Sequence, residues 1–207
     1  MSSRAAQALF AIAGLLAASA CTVVGSAAAP EPDYAVVSAQ DPFEIRDYGA
    51  LVVVKTTMAD GSRAAFGRLF DYISGENQGA RDIAMTAPVL NAAAEGTEIA
   101  MTAPVLQSGE GDRDMVFVLT EEFTPETAPL PTDPMVTLGA VPPRRVAVVR
   151  YSGSMDERAP AEEAKLRAWI ATKGLRAAGP AEVAGYNPPW TLPAYRRNEV
   201  LIPVSPE

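Results

Sequence analysis

The chain has 207 residues, with 17 Lys or Arg, 25 Asp or Glu, one Cys and no His. This length predicts one domain, or one domain with an appendage, and the formal net charge of −8 makes nucleic acid an unfavourable partner. A single Cys excludes an internal disulfide framework and a Cys-rich metal site, and the absence of His excludes Ser-His-Asp catalysis, HExxH zinc sites and every other site that requires imidazole.

Residues 1–20 have the features of a signal peptide for export. Arg4 precedes the apolar run 8–18, which is shorter than the about 20 residues that a membrane-spanning helix needs. Ala18-Ser-Ala then places small residues directly before Cys21. The mature protein is therefore expected outside the cytoplasm.

Two processing routes fit the junction at Cys21. It resembles a bacterial lipobox, although Ala18 stands where lipoboxes usually carry a larger aliphatic residue, and it also fits ordinary cleavage there or after Ala29. We favour acylation of Cys21, because the only Cys lies at this junction and residues 21–33 follow it as a tether of mostly small residues. This predicts a lipoprotein of the bacterial periplasm, held to the membrane by its lipid anchor.

Residues 34–207 alternate strand-like and helix-like stretches without a second linker. Period-two alternation or β-branched runs predict strands at 43–48, 51–57, 115–119, 146–151 and 198–204. The segment 123–143 contains six prolines and is expected to be loop, with a short strand possible at 135–138.

Two segments have the apolar periodicity of helices. Phe66, Leu69, Phe70 and Ile73 fall on one stripe, with Ser62 as the predicted N-cap and Gly75 as the terminator. A second helix is predicted over 156–173, with Leu166, Trp169 and Ile170 on one face. Strands and helices in this order predict an α+β fold with a mainly antiparallel sheet, and the similar positions of the two helices hint at a duplication.

The sequence contains one internal repeat. Residues 82–90 and 98–106 are identical at eight of nine positions, and the ninth exchanges Asp for Glu. We expect two strands joined by residues 91–97, with Met85 and Met101 on the same face and a Pro ending each strand or marking a bulge. These Met side chains could line a pocket, or they could fill gaps in the core, which is the usual role of Met.

Together with other motifs, this repeat resembles the SOUL haem-binding protein family. The similarity runs from about residue 34 to residue 204 and includes FGRLFDYI (66–73), GEN (75–77), RYSG (150–153), YNPPWTLP (186–193) and RRNEV (196–200). The resemblance implies a pseudo-two-fold α+β domain over residues 34–207. Its two long helices would pack on a distorted, barrel-like antiparallel sheet, as in the small-molecule-binding domains of drug-responsive regulators.

The resemblance also implies binding of haem or another tetrapyrrole. Some family members use a His axial ligand and others hold porphyrin in an apolar groove without one. Since this chain has no His, it fits only the second group or members that have lost haem binding. If iron is ligated at all, Met85, Met101 or a Tyr such as Tyr72 could serve, because thioether and phenolate can both ligate haem iron.

A porphyrin groove needs apolar walls and cations near its rim. The apolar stripe of the first helix could supply the walls with Arg68 on its flank, or the stripe could simply face the sheet. Trp169 and Trp190 could stack on a ring, although Trp169 could instead pack the second helix. Arg196 and Arg197 could pair with propionates, or with Glu199 and other surface acids.

The predicted function is noncatalytic binding of haem or a related tetrapyrrole, as a carrier or buffer in the cell envelope. One alternative is the binding of another hydrophobic or planar small molecule. Another is an envelope interaction protein that has lost haem binding and uses the segment 123–143 as its contact surface. An enzyme has little support, since the sequence lacks a G-x-S-x-G elbow and a phosphate-binding Gly loop.

Overall fold

The structure is a computed structural model that describes residues 30–79, 96–108, 113–188 and 190–206. The predicted signal peptide, Cys21 and the first copy of the repeat with Met85 lie outside these residues. The described chain forms strands β1 (Tyr34–Gln40), β2 (Phe43–Tyr48), β3 (Leu51–Thr57), β4 (Val105–Ser108), β5 (Asp114–Val118), β6 (Thr137–Val141), β7 (Arg144–Tyr151), β8 (Leu175–Ala177), β9 (Glu182–Gly185) and β10 (Asn198–Pro206). It also forms helices α1 (Ser62–Ile73) and α2 (Met155–Thr172) and a 3₁₀ turn (Pro193–Tyr195).

The strands form one antiparallel sheet in the order β1-β2-β7-β10-β9-β4-β5-β3-β6, and β8 pairs with the end of β10. This confirms the predicted α+β class with two helices. The sheet is open, because β1 and β6 occupy its two ends.

Two short connections link the halves of the sheet. A two-residue link joins β2 to β3, and another joins β6 to β7, yet β2 pairs with β7 and β3 pairs with β6. The segment from β2 to β3 therefore pairs with the segment from β6 to β7 in one unchanged antiparallel register.

The two halves repeat one strand–helix–strand–strand pattern. The unit β3-α1-β4-β5 has the strand order β3-β5-β4, and the unit β7-α2-β9-β10 has the order β7-β10-β9. The units meet where β4 pairs with β9, with Leu106 opposite Ala184. This is the duplicated architecture that the helix positions hinted at.

Helix α1 packs on β3 and β5 through Ala65, Leu69, Tyr72 and Ile73. The predicted apolar stripe is therefore divided, because Leu69 and Ile73 are buried whereas Phe66 and Phe70 lie on an exposed flank. The predicted N-cap is wrong by one residue. Gly61 caps the helix with a φ of 102°, a conformation that Gly adopts easily, and Ser62 is the first helical residue. Gly75 follows the helix with a φ of 109°, as expected of a terminator.

Helix α2 packs on the other half of the sheet. Leu166, Trp169 and Ile170 are buried on one face, as predicted. The Trp169 ring stacks on Phe43 of β2, with 5.1 Å between ring centroids, and its Nε1 donates to Gln40 Oε1 at 3.1 Å. Within the described ranges, no helix is long and apolar enough to cross a membrane.

The prediction of a strand for the second repeat copy is wrong over most of its length, since β4 begins only at Val105. The preceding backbone bonds to other parts of the chain: the Ile99 amide donates to Ile73 O at 2.7 Å, and the Ala103 amide donates to Pro30 O at 2.9 Å. The short strand possible at 135–138 lies slightly later, at Thr137–Val141.

Candidate ligand-binding groove

A groove of about 620 Å³ lies where the two halves of the sheet meet, between the first turns of α1 and α2. Its volume falls within the ~300–1,000 Å³ range of small-molecule sites. The described lining consists of Ser62, Arg63 and Phe66 of α1, Val105, Gln107 and Met115 of β4 and β5, Ser154, Met155 and Asp156 at the start of α2, and Gly185, Asn187, Arg196 and Asn198 around β9 and β10.

Apolar side chains form the walls of the groove on both sides. Phe66 meets Phe117 of β5 edge to face at 5.4 Å between ring centroids, and it stacks with Phe70 one helical turn later at 6.0 Å. Phe66 remains partly exposed although its neighbours Ala65 and Leu69 are fully buried. Among the described residues, the α1 wall therefore offers exposed aromatic surface that is held by packing on the sheet.

Met155 forms the opposite wall and depends on a glycine beneath it. A Cβ atom on Gly185 would lie 3.2 Å from Met155 Sδ, tighter than ordinary contact. Gly185 thus leaves room for the thioether above β9. The Tyr151 hydroxyl donates to Met155 O at 3.0 Å and fixes the start of α2 at this position.

The segment before β10 holds the start of α2 in place. The Gly153 amide donates to Pro193 O at 2.8 Å, and Asn198 Nδ2 donates to Gly153 O at 3.1 Å. Because both bonds lie at the groove, the wall formed by α2 is positioned by the RRNEV motif and the turn that precedes it.

The rim of the groove carries positive charge. Arg63 is exposed and forms no ion pair with any residue that the structure describes, and Arg196 contributes a second guanidinium whose Nε donates to Thr191 O at 2.8 Å. Both helices also begin here, so their N-terminal dipole ends add partial positive charge. Asp156, in the first turn of α2, is the acid of the described lining. An apolar ligand with carboxylates at one edge would suit this combination.

Haem has the shape and charges that this lining can accommodate. Phe66, Val105 and Met155 offer surface to a broad apolar ring, and the two rim arginines can face propionates. Met115 and Met155 bring thioethers to the groove, whereas the described residues contain no cluster of three His, Cys, Asp or Glu that could hold a metal by itself. The residues present therefore fit a tetrapyrrole held by apolar contact.

A second cavity of about 400 Å³ opens at one end of the sheet. It lies between residues 30–33 and the ends of β3 and β5, and Glu31, Asp33 and Glu121 are part of its lining. Three carboxylates would repel an anionic ligand. The groove is therefore the better candidate for a ligand with propionates.

Few of the predicted binding residues meet in the groove. Phe66 and Arg196 line it, and Phe70 stacks on Phe66 beside it. Leu69 and Ile73 belong to the core under α1. Arg68 instead ties α1 to β3, because its Nε donates to Thr56 Oγ1 at 2.9 Å and its Nη2 to Thr57 O at 2.6 Å.

The predicted aromatic and iron-ligand candidates lie elsewhere. Trp169 packs the second helix, which was the alternative for this residue, and Trp190 is 75% exposed on a loop. Met101 is exposed and is not among the described lining residues. The Tyr72 hydroxyl donates to Pro129 O at 2.8 Å, and burial raises its pKa to about 12. Met85 lies outside the described residues, so its placement stays a prediction.

Arg197 belongs to a buried ionic cluster on the helix-free face, which we call the Glu199 cluster (Arg46, Tyr186, Arg197 and Glu199). Arg46 Nη1 and Nη2 donate to the two Glu199 oxygens at 2.8 and 3.1 Å, and Arg197 Nη2 donates to Glu199 Oε1 at 2.9 Å. The Tyr186 hydroxyl donates to Glu199 Oε2 at 2.7 Å, and the Arg197 guanidinium lies 3.9 Å from the Tyr186 ring centroid. For Arg197 the sequence left two partners open, propionates or Glu199, and the structure pairs it with Glu199.

The cluster keeps its carboxylate ionised. Burial alone would raise the pKa of Glu199, but the hydrogen bonds and charges of Arg46, Arg197 and Tyr186 outweigh burial and lower the pKa below its usual value of 4.5. Burial also raises the pKa of the Tyr186 phenol, and the adjacent carboxylate raises it further. Each arginine also pairs with a second carboxylate, Arg46 with Glu44 and Arg197 with Glu31, both at 2.7 Å. The arrangement is therefore a structural cluster whose cations already have acidic partners.

Sequence reasoning missed three residues that shape these sites. Met155 and Gly185 form the second wall of the groove, but neither stands in a pattern that marks a pocket. Arg46 alternates with apolar residues in β2, a pattern that places it on a solvated face, yet its side chain is 1% exposed. An acid inside the strand of the RRNEV motif was the one available signal that a partner cation is buried.

Comparison with known proteins agrees with this fold. A family model described as SOUL heme-binding protein matches residues 29–203. A chain in a cryo-EM structure of an EcmrR–DNA complex superposes with a TM-score of 0.54 at 11% identity, over 80% of this chain and 57% of that chain. The present chain thus spans somewhat over half the length of that one.

Two further structures have similar folds. The EcmrR C-terminal domain has a TM-score of 0.50 at 14% identity, over 80% of this chain and 98% of that domain. A protein described as a hydrolase from Listeria innocua has a TM-score of 0.50 at 12% identity, over 82% and 94% of the two chains. Identities this low establish a shared fold only. No curated protein has a significantly similar sequence.

Proposed function

Since the chain belongs to the SOUL haem-binding protein family, we propose that the groove between α1 and α2 binds haem or a related tetrapyrrole without a His ligand. The observation that carries the proposal is a groove with apolar walls from both helices and arginines on its rim. The role is noncatalytic: a carrier or buffer, located in the cell envelope.

Each group of the groove has a distinct part in holding the ligand. Phe66 and Met155 contact the two faces or edges of the apolar ring, and Arg63 and Arg196 pair with its propionates. A bound haem would bring an iron centre with it. The thioethers of Met115 and Met155 are the soft donors at the groove.

The location follows from the N-terminal sequence. We propose export to the periplasm, removal of residues 1–20 and acylation of Cys21, so that residues 21–33 tether the domain to the membrane. A Cys21→Ser variant should no longer incorporate labelled fatty acid and should leave the membrane fraction. Unchanged acylation of this variant would contradict the lipid anchor.

Haemin titration tests the groove directly. The wild-type protein should give a saturable Soret change at about one haemin per chain. Met155→Glu should weaken binding about 10- to 100-fold, because burial of a Met side chain is worth about 1.5–3 kcal/mol. An acid is favourable in the first turn of a helix, so this change should not unfold α2.

Met135→Glu is the matched control, because Met135 is an exposed Met outside the described lining of the groove. It should bind haemin like the wild type. Equal affinities of the two variants would remove the groove as the site. Displacement of haemin by unrelated planar hydrophobes would favour the broader ligand class, and failure to saturate would favour an interaction protein that has lost haem binding.

A further inference from the structure

The loop between β9 and β10 exposes large apolar side chains together. We call the described residues 186–188 and 190–197 the aromatic loop. Trp190, Leu192 and Tyr195 are 75%, 51% and 59% exposed. The loop has two Arg and no Asp or Glu, in a chain whose formal net charge is −8. It is thus an acid-free, apolar surface on an acidic protein.

Hydrogen bonds hold the aromatic loop in this conformation. The Thr191 amide donates to Pro188 O at 3.0 Å, and the Tyr195 amide donates to Leu192 O at 2.9 Å. At its end, the Arg197 amide donates to Asn187 Oδ1 at 2.6 Å. Because the backbone is fixed in this way, the outward direction of the three side chains is a property of the fold and costs little ordering on contact.

The N-terminal segment of the domain lies beside this loop. Arg197 Nη1 donates to Glu31 Oε1 at 2.7 Å, which places residue 31 against the end of the aromatic loop. Only eight residues separate Cys21 from Pro30, and the apolar run 8–18 stands just before them. Even fully extended, the nine residue-to-residue steps from Cys21 to Pro30 span about 30 Å. An anchor at this end of the chain would keep the aromatic loop within that distance of the membrane.

We propose that the aromatic loop docks on the lipid bilayer and orients the domain there, with Trp190, Leu192 and Tyr195 entering the interface. Trp and Tyr favour this region, since their rings have an apolar body and a polar tip. A short tether gives a second, weaker contact with the bilayer a high effective concentration.

Docking through this loop places the groove at the bilayer surface. Asn187 and Arg196 belong to both the aromatic loop and the lining of the groove. A hydrophobic ligand could therefore pass between the bilayer and the groove without crossing bulk water. The docking itself does not depend on which ligand the groove binds.

Fluorescence quenching by brominated lipid tests the docking. The chain has two Trp, so Trp169→Phe leaves Trp190 as the only Trp, and Trp190→Phe leaves the buried Trp169 as a matched control. Each protein is recovered from the cell envelope and reconstituted into phosphatidylcholine vesicles with plain or brominated acyl chains. We expect the emission of Trp190 to shift to the blue and to lose most of its intensity in brominated vesicles, and the emission of Trp169 to change little.

A second variant keeps Trp169, because the Trp169→Phe change could disturb core packing. Leu192→Glu combined with Tyr195→Glu, with both native Trp kept, changes exposed positions only and should reduce the quenching markedly. The proposal is overturned if Trp190 is not quenched on vesicle-bound protein, or if the protein does not float with the vesicles. A blue shift that depends on protein concentration without bromine quenching would assign the loop to a second copy of the chain. Haemin titration of the same variants reports on the groove separately.

Discussion

The arginines on the two faces of the sheet differ in burial and in ion pairing. On the helix-free face, Arg46 is 1% exposed and bonds both oxygens of Glu199, which is fully buried. On the helix face, Arg63 lies exposed at the rim of the groove without an acidic partner among the described residues. The first arrangement stabilises a fold and the second is available to a ligand, although the sequence presents both as ordinary charged residues.

Topology accounts for this difference. The Glu199 cluster joins β2 and β10 with the aromatic loop, and Arg197 extends it to Glu31 in the N-terminal segment. The groove instead lies over the β4–β9 pair, where the two halves meet and each helix covers its own half. The pseudo-two-fold repeat therefore leaves a gap on one face, and ion pairs join distant segments on the other.

Loss of the carboxylate in the Glu199 cluster should have the largest effect. Glu199→Gln removes the buried counter-ion of Arg46 and leaves it only the partly exposed Glu44, whose Oε2 lies 2.7 Å from Arg46 Nε. Breaking a buried pair in this way costs about 3–5 kcal/mol. We expect the free energy of unfolding in urea to fall by that order, with haemin affinity unchanged under conditions where the variant stays folded.

Asp47→Asn is the matched control for that change. Asp47 follows Arg46 in β2 and pairs with Arg145, but both of these side chains are substantially exposed. Exposed pairs contribute little because water screens them. A loss of stability equal to that of Glu199→Gln would refute the contrast between a buried cluster and surface pairs.

Acid should weaken the same cluster. The pKa of Glu199 is lowered from 4.5 in the native state, so its contribution to stability is complete above the unfolded pKa and is lost as pH falls through the native pKa. Urea unfolding measured from pH 7 down to pH 3 should therefore show a decline in wild-type stability below about pH 4.5 that is shallower in Glu199→Gln. Identical profiles would mean that Glu199 is not the titrating group.

Short-range sequence patterns predicted the helices and strands well. The Glu199 cluster and the groove were not predicted, because both depend on contacts between residues far apart in the chain. The strands at 43–48 and 51–57 have the predicted bounds, since alternation and flanking glycines are local signals. Arg46 and Glu199 are 153 residues apart, so nothing local indicates that their side chains meet. The groove likewise depends on the pairing of Val105 with Gly185 across the two halves.

The internal repeat also shows that local sequence does not predict long-range contacts. Two nearly identical segments suggested two strands, yet the described copy bonds to the end of α1 and to Pro30 before β4 begins. Pro104 of this copy has no amide hydrogen to donate to a neighbouring strand, and the amide of Ala103 donates to Pro30 O, outside the sheet. The repeated sequence therefore did not by itself predict the local conformation of the described copy.

A methyl group added beneath Met155 should narrow the groove with little effect on stability. In Gly185→Ala the new Cβ would lie 3.2 Å from Met155 Sδ, and the flexible thioether can move into the groove. A steric cost of about 1 kcal/mol corresponds to about five-fold weaker haemin binding. Gly139→Ala is the matched control, because its Cβ would lie an ordinary 3.8 Å from Val53 Cγ2. Equal haemin affinities of the two variants would contradict a role for Gly185.

The smallest expected effect concerns the exposed arginine of the groove. Arg63→Ala should weaken haemin binding by about two- to three-fold, because an exposed ion pair is worth roughly 0.5 kcal/mol. The loss should vanish at high salt and should be absent for the dimethyl ester of haemin, which has no propionate charge. Arg145→Ala removes an exposed arginine outside the described lining and should change neither titration. Equal losses for haemin and its ester would mean that Arg63 acts by packing, and the contrast between a free and a paired arginine would then rest on the Glu199 cluster alone.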